Sequence, residues 1–270
     1  MGYREHRPAP LVARHVACTW TQVVGAAPIE HIVVPDACAD ILSVDGGAPF
    51  VVGPATATVI HRFAAGTTLT GVRFRPASIA AGLGVPPATV LDGEPDLADV
   101  WGEPTAALEE ALARAPVEAR AGVLEAAVQA RFARGAHLDH VDRLAAHAVR
   151  WLAANPGQPV QALARAVGIS ERQLQRRIRA ATGYGPKLLQ RILRFQRALL
   201  AIEREPDPRS DRGLAWIAAA AGYADQAHLT REVHELAGLT PGEVRGRGLG
   251  TPAMSVFFKT IDDARPSLVA

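Results

Sequence analysis

Up to about Phe74 the apolar residues come in short β-branched runs, and from Ala77 onward they recur at helical spacing. The runs HVACTWTQVV, HIVVPD, DILSVDG, PFVVG, TATVIHRF and TLTGVRFRP are separated by Pro, Gly or Asp and predict a sheet of five or six strands. After them ASIAAGLG reads as a short helix ended by glycine, and TAALEEALARA and VEARAGVLEAAVQARFARG as longer amphipathic helices. The expected fold class is an α+β N-terminal domain over residues 1–136, with Gly135-Ala136 as its boundary, followed by an all-α C-terminal domain over residues 137–250. Asp139 is the expected cap of the first helix of the second part. Residues 251–270 form a tail in which VFFKTI has strand character.

The helical part repeats itself. Leu163, Ala164, Val167, Gly168 and Ile169 recur as Ile217, Ala218, Ala221, Gly222 and Tyr223. After a one-residue increase in shift, Ser170, Leu174, Gln175, Arg176, Ile178, Gly183 and Pro186 recur as Asp225, Leu229, Thr230, Arg231, Val233, Gly238 and Pro241. A small residue at Ala164 or Ala218 lets a second helix cross closely, and a glycine four positions on can adopt positive φ and end the first helix. Ser170 or Asp225 then caps the second helix. Each copy therefore predicts a helix-turn-helix unit.

Helical spacing assigns the faces of both second helices. Leu174, Ile178 and Ala181 form a buried stripe, leaving Arg172, Gln175, Arg176 and Arg179 outward. In the second copy Leu229, Val233 and Leu236 are the stripe; Ala227, Thr230, Arg231 and His234 face outward, with Gln226 and His228 beside them. Arginine can bond guanine and glutamine adenine in a bidentate way, and alanine or threonine methyls can pack on the thymine methyl. Between the copies, Pro186 suits the first helical position, and Leu188, Ile192, Phe195, Leu199 and Ile202 continue at helical spacing until Glu205-Pro206. At ~1.5 Å per residue such a connector spans roughly 27 Å, near the ~34 Å between major-groove segments on one DNA face.

With these motifs on the page, residues from about 137 to 247 resemble the AraC/XylS family of bacterial transcriptional regulators, notably in Gly-aromatic, His-Leu-Thr-Arg and Gly-Leu-Thr-Pro-Gly-Glu-Val-Arg. The resemblance implies that both recognition helices enter successive major-groove segments of double-stranded promoter DNA. It places base-reading positions at Arg172, Gln175 and Arg176, and at Gln226, Ala227, His228, Thr230 and Arg231. Ala227 departs from the polar reader common at its position, which implies methyl contacts or a less selective second helix. The N-terminal part resembles a poorly characterised domain found upstream of AraC-type units, through VVPDACADI and GVRFRP. That resemblance implies an effector-sensing or dimerisation role. RNA polymerase, a small-molecule effector and a second copy of the chain are the further partners expected.

Charge divides in the same way. The whole chain carries a formal +2, but residues 137–250 hold 17 Arg and Lys against 11 Asp and Glu, and the residues before them 10 against 14. From Arg172 to Ile202 there are eight basic residues and no acidic one. Ser170, Arg177, Lys187, Arg191 and Arg194 are accordingly expected at DNA phosphates, which position the protein while base contacts specify the sequence. The polar start and the lack of a membrane-length apolar run predict a cytoplasmic protein with no membrane partner.

In the N-terminal domain Asp36, Cys38 and Asp40 alternate and are candidates to line a pocket with His31 or His61; the other reading is a Pro-Asp turn entering a strand with a buried cysteine. Arg73 and Arg75 are placed on one strand face, to meet an anionic effector or to pair with Asp36 or Asp40. Trp20, Phe63, Phe74 and Trp101 read as core, with a hydrophobic effector pocket as the alternative. Cys18 and Cys38 have no metal-ligand spacing, and they form a redox pair only if their strands are neighbours. No metal, cofactor or catalytic residue is expected. Two other classes stay open: a DNA-repair or modifying enzyme with Cys38 as nucleophile, and a nonspecific DNA-binding protein.

Overall fold

A computed structural model of the chain describes residues 2–134, 142–204, 211–245, 247 and 249. The strands are β1 (Tyr3–His6), β2 (Val16–Val23), β3 (Ile29–Val33), β4 (Ala39–Val44), β5 (Phe50–Val52), β6 (Val59–Phe63) and β7 (Thr68–Phe74). Five form an antiparallel sheet in the order β1-β2-β7-β4-β5, and β3 pairs with β6 as a separate ribbon. The expected β-sheet is present, but as two sheets. Strand β1, YREH, carries no β-branched residue and forms by pairing with β2.

The sheet has two different faces because side chains alternate along each strand. Ile41, Val51, Val72 and Phe74 pack toward Leu124, Val128 and Phe132 of helix α4 (Val117–Ala133). Helices α1 (Ile79–Leu83), α2 (Leu97–Trp101) and α3 (Ala106–Arg114) complete that layer. On the other face Cys18, Arg73, Asp40 and Val52 lie in one register row, and Trp20, Gly71, Leu42 and Phe50 in the next. A Cβ on Gly71 would meet the Trp20 indole at 2.5 Å. The glycine lets that ring cross β7 and donate Nε1–H to Asp40 Oδ1 at 2.7 Å.

The helical part follows as α5 (Arg143–Ala154), α6 (Val160–Ala166), α7 (Glu171–Thr182), α8 (Pro186–Arg204), α9 (Asp211–Ala221), α10 (Gln226–Ala237) and α11 (Pro241–Val244). Asp142 caps α5, accepting from the Leu144 and Ala145 amides at 2.9 and 3.1 Å. The expected cap Asp139, the Gly135-Ala136 boundary, residues 205–210 and the tail lie outside the described residues. Connector α8 has 19 residues, roughly 28 Å at ~1.5 Å each. It buries Leu189, Ile192, Leu193, Phe195, Gln196, Ala198, Leu199, Leu200 and Ile202, far more than one stripe, because both units and the N-terminal part pack on it.

Residues 32–38 reach from β3 to β4 through the seam between the halves. Ile32 and Val34 join the core of the second unit, with Phe195, Leu199, Leu229 and Val233. Ala37 and Cys38 join the core of the first, with Leu163, Leu174, Ile178 and Ile192. Gln196 of α8 donates to the Pro35 carbonyl at 2.8 Å in the same buried layer. The turn itself is tight. Ala37 has φ +64°, a left-handed conformation that costs an L-residue about 1–2 kcal/mol. Asp36 Oδ1 holds it by accepting the Cys38 amide at 2.8 Å. Tyr184 donates its hydroxyl to the Ala55 carbonyl at 2.7 Å, adding a second tie between the halves.

Candidate nucleic-acid interface and an N-terminal cavity

The two turn signatures fold into two helix-turn-helix units, α6–α7 and α9–α10. Gly168 and Gly222 have φ of +68° and +83° and end the first helix of each. Ser170 caps α7 in a capping box with Gln173, and Asp225 caps α10 by accepting the His228 amide at 2.7 Å. Ser170→Ala is expected to cost about 1 kcal/mol of stability, readable as a lower urea midpoint. A Cβ on Gly222 would lie 2.8 Å from Pro156 Cβ in the loop before α6, so the second unit touches the first at this glycine. Gln190 of α8 pins the same loop by donating to the Gln158 carbonyl at 2.6 Å. Gly222→Ala combines that clash with a left-handed backbone and should destabilise by about 2 kcal/mol, measurable by the same denaturation.

The reading face of α7 is open. Arg172, Gln175, Arg176 and Arg179 are exposed and line one open groove with Ser170 and Gln173, while Leu174, Ile178 and Ala181 are buried. Among the described residues none of those four exposed side chains has an ion pair or hydrogen bond. On α10, Ala227 and Arg231 are exposed and Gln226 and Thr230 half-buried, again without partners among the described residues. His228 differs. Its Nε2 faces Glu232 at 3.2 Å, its Nδ1 takes a long 3.5 Å contact from the Ala224 amide, and its ring meets Tyr223 edge-on at 5.2 Å. Both ring nitrogens thus have partners inside the unit, while the side chain stays 35% exposed.

The expected phosphate residues divide by burial. Lys187 is exposed and unpartnered among the described residues. The Ser170 hydroxyl is committed to the helix cap. Arg177 pairs with Asp142 at 2.8 Å and Arg191 with Glu235 at 2.6 Å, both at exposed positions where such pairs are worth at most about 1 kcal/mol and can exchange for a phosphate. Arg194 cannot. It is inside the second unit, 2.7 Å from the buried Glu232 and with its guanidinium 4.7 Å from the Tyr223 ring centre. The phosphate expectation for Arg194 is therefore corrected to an internal ion pair.

The N-terminal candidates separate as well. A cavity of about 260 Å³ lies between the main sheet and the β3–β6 ribbon, lined by Trp20, His31, Asp40, Phe50, Phe63 and Arg73 among others. A neighbouring one of about 290 Å³ is lined by Tyr3, Gln22, Asp36, Arg73, Arg247 and Leu249 among others. Arg73 stands between them, with Nε 3.2 Å from Asp40 and Nη1 3.5 Å from Asp36. Burial opposes its charge, but Asp40 and then Asp36 outweigh burial and hold its pKa well above the ordinary value. Arg75 lies beyond β7 and donates to the Ala13 carbonyl at 3.2 Å, so it shares no site with Arg73. Cys38 faces the core under the first unit, and burial pushes its thiol well up. Both cysteines are free, and β7 lies between β2, which carries Cys18, and β4, which Cys38 immediately precedes. Of the four aromatics, Trp20 and Phe63 line the cavity, Phe74 is core, and Trp101 packs under Arg131. Phe50, Val52 and Glu94 complete the cavity wall without any sequence signal to mark them.

Two duplicated units with exposed donor faces define a DNA-binding protein. A helix-turn-helix domain family matches residues 163–247, and a domain of unknown function (DUF6597) matches residues 4–95. No curated protein matches the chain. Among solved structures, ToxT from Vibrio cholerae O395 aligns at 9% identity over 83% of this chain and 96% of that one, with a TM-score of 0.44. A second crystal form of Vibrio cholerae ToxT aligns at 10% over 90% and 97%, TM-score 0.43. The unsaturated-fatty-acid-bound ToxT of strain SCE256 aligns at 11% over 83% and 92%, TM-score 0.41. The chain thus carries a DNA-binding helix-turn-helix domain behind a domain of unknown function. Among the described residues no helix is long and apolar enough to cross a membrane.

Proposed function

We propose that the protein is a sequence-specific regulator whose helices α7 and α10 read successive major-groove segments of promoter DNA, acting by binding rather than catalysis. The observation that carries this is the contrast in charge use. The cations of α8 that meet the second unit are paired, whereas Arg172, Arg176 and Arg179 of α7 and Arg231 of α10 point outward unpaired among the described residues. Unpaired donors on the exposed face of a second helix match what base edges require. Lys187, Arg177 once released from Asp142, and Arg191 once released from Glu235, serve the phosphates. RNA polymerase and a second copy of the chain belong to the same reading as partners.

The N-terminal domain modulates this activity through residues 32–38. One side of that segment is built into both helix-turn-helix cores, and the other is tied to Arg73 by Asp36. Whatever changes the Arg73 environment acts on the segment that fixes one unit against the other.

The test is a selection of bound duplexes from a random pool with the full chain and with Arg176→Ala and Arg231→Ala. Two boxes about one helical turn apart are expected, each substitution erasing a different one at a cost of about 1–3 kcal/mol. Equal weakening on cognate and random duplexes would overturn the base-reading assignment and favour a nonspecific binder.

A further inference from the structure

The cavity beneath the β3–β6 ribbon has a composition that selects a ligand by charge. Its walls carry the aromatic rings of Trp20, Phe50 and Phe63, the imidazoles of His31 and His61, and the apolar Val33, Leu42, Val52 and Leu69. Three formal charges border it: Arg73, Asp40 and Glu94. The only cation is already answered twice, by Asp40 at 3.2 Å and Asp36 at 3.5 Å. Burial, followed by the nearby His61 and Arg73, lowers the pKa of His31, which disfavours a charge on its ring. Glu94 is different: its side chain is 45% exposed at the rim, and its ion-pair partner is His61 Nε2 at 3.3 Å.

An anionic ligand entering this space meets no unanswered cation and passes a carboxylate at the rim. A cationic one meets that carboxylate and then aromatic faces, where cation–π attraction is worth about 0.5–2 kcal/mol. The volume, about 260 Å³, falls just below the roughly 300 to 1,000 Å³ usual for small-molecule pockets, which limits the ligand to a small one. The geometry points to this cavity as a binding site for a small aromatic cation, its ring stacked among Trp20, Phe50 and Phe63 and its ammonium group at Glu94. The ligand class rests on the reading of the N-terminal domain as the modulating half: a molecule seated here touches Arg73, and Arg73 holds Asp36.

Three probes of one shape separate the charge classes: 2-phenylethylammonium, 2-phenylethanol and 3-phenylpropanoate, titrated calorimetrically into the full chain. The cation is expected to bind about tenfold more tightly than the carboxylate. Glu94→Gln should weaken the cation about tenfold and leave the alcohol unchanged; Glu94 is half-exposed and outside both cores, so this variant keeps the fold. Equal or tighter binding of the carboxylate, indifference of the cation to Glu94→Gln, or no heat from any probe up to millimolar concentration would each overturn the ligand class. DNA selection on the same preparation keeps the failures apart. A clear consensus without cation binding sinks only the ligand class, whereas cation binding without a consensus sinks the DNA-reading proposal and leaves the cavity assignment standing.

Discussion

Arg73→Leu should destabilise the protein by about 3–5 kcal/mol, because it strands two carboxylates inside the fold. Arg73 is only 12% exposed in its side chain, and Asp36 and Asp40 beside it are 16% and 10%. With the guanidinium gone, Asp40 keeps only the Trp20 indole as a donor and Asp36 only the Cys38 amide. The remedy for a buried unpaired charge is to neutralise it, so adding Asp40→Asn to Arg73→Leu should recover part of the loss. Urea denaturation followed by near-ultraviolet dichroism reads both variants. A loss below about 1 kcal/mol for Arg73→Leu would mean that water reaches these groups and that the ion pairs are of the exposed kind. Because Asp36 also shapes the turn between the two helix-turn-helix cores, DNA affinity should fall with stability even though Arg73 touches no DNA.

Arg194→Ala is expected to cost a similar amount, about 3 kcal/mol, and to act on the second unit. Glu232 is 4% exposed in its side chain, and Arg194 is its closest partner at 2.7 Å; His228 at 3.2 Å and Arg191 at 3.6 Å remain but sit farther out. Removing Arg194 also removes the cation over Tyr223. In a double-mutant cycle, Glu232→Gln should be better tolerated in the Arg194→Ala background than alone, since each single change takes from one buried charge its closest partner. The DNA readout discriminates this role from a phosphate contact. Loss of the α10 box with a lowered urea midpoint supports the internal pair; an unchanged midpoint with uniform weakening on every duplex would restore the phosphate role.

Much of the second half was legible from the chain because its information is local. A glycine followed by an apolar residue and a capping Ser or Asp dictates a turn within a few residues, and i, i+4, i+7 spacing then assigns faces. Leu174, Ile178, Leu229 and Val233 are fully buried, and Arg172, Gln175, Arg176 and Arg231 are exposed, as that spacing requires. Which exposed residues were free to meet DNA was not legible, because pairing depends on neighbours distant in sequence. Arg194 and Glu232 lie thirty-eight positions apart, so a residue with every outward sign of a DNA contact became internal, and His228, still partly exposed, meets the same carboxylate.

The N-terminal half was legible only as strands and helices. Alternation and turn residues marked five or six strands, but β1 is polar, and its existence depends on the edge of β2 being available. The cavity drew Trp20 from β2, Asp40 from β4, His61 from β6, Arg73 from β7 and Glu94 from a loop. No spacing along the chain relates those positions. Asp36, Cys38 and Asp40, which alternate in sequence, went to three environments: a turn, the core under the first unit, and the cavity floor. By itself the sequence determined that this protein has two helix-turn-helix units with donor-rich faces, since helix periodicity and capping are properties of neighbouring residues. Only the tertiary structure decided which charges were spent inside, where a ligand-sized space opened, and that residues 32–38 tie the cavity to both DNA-reading units, because each depends on strands and helices meeting across long stretches of chain.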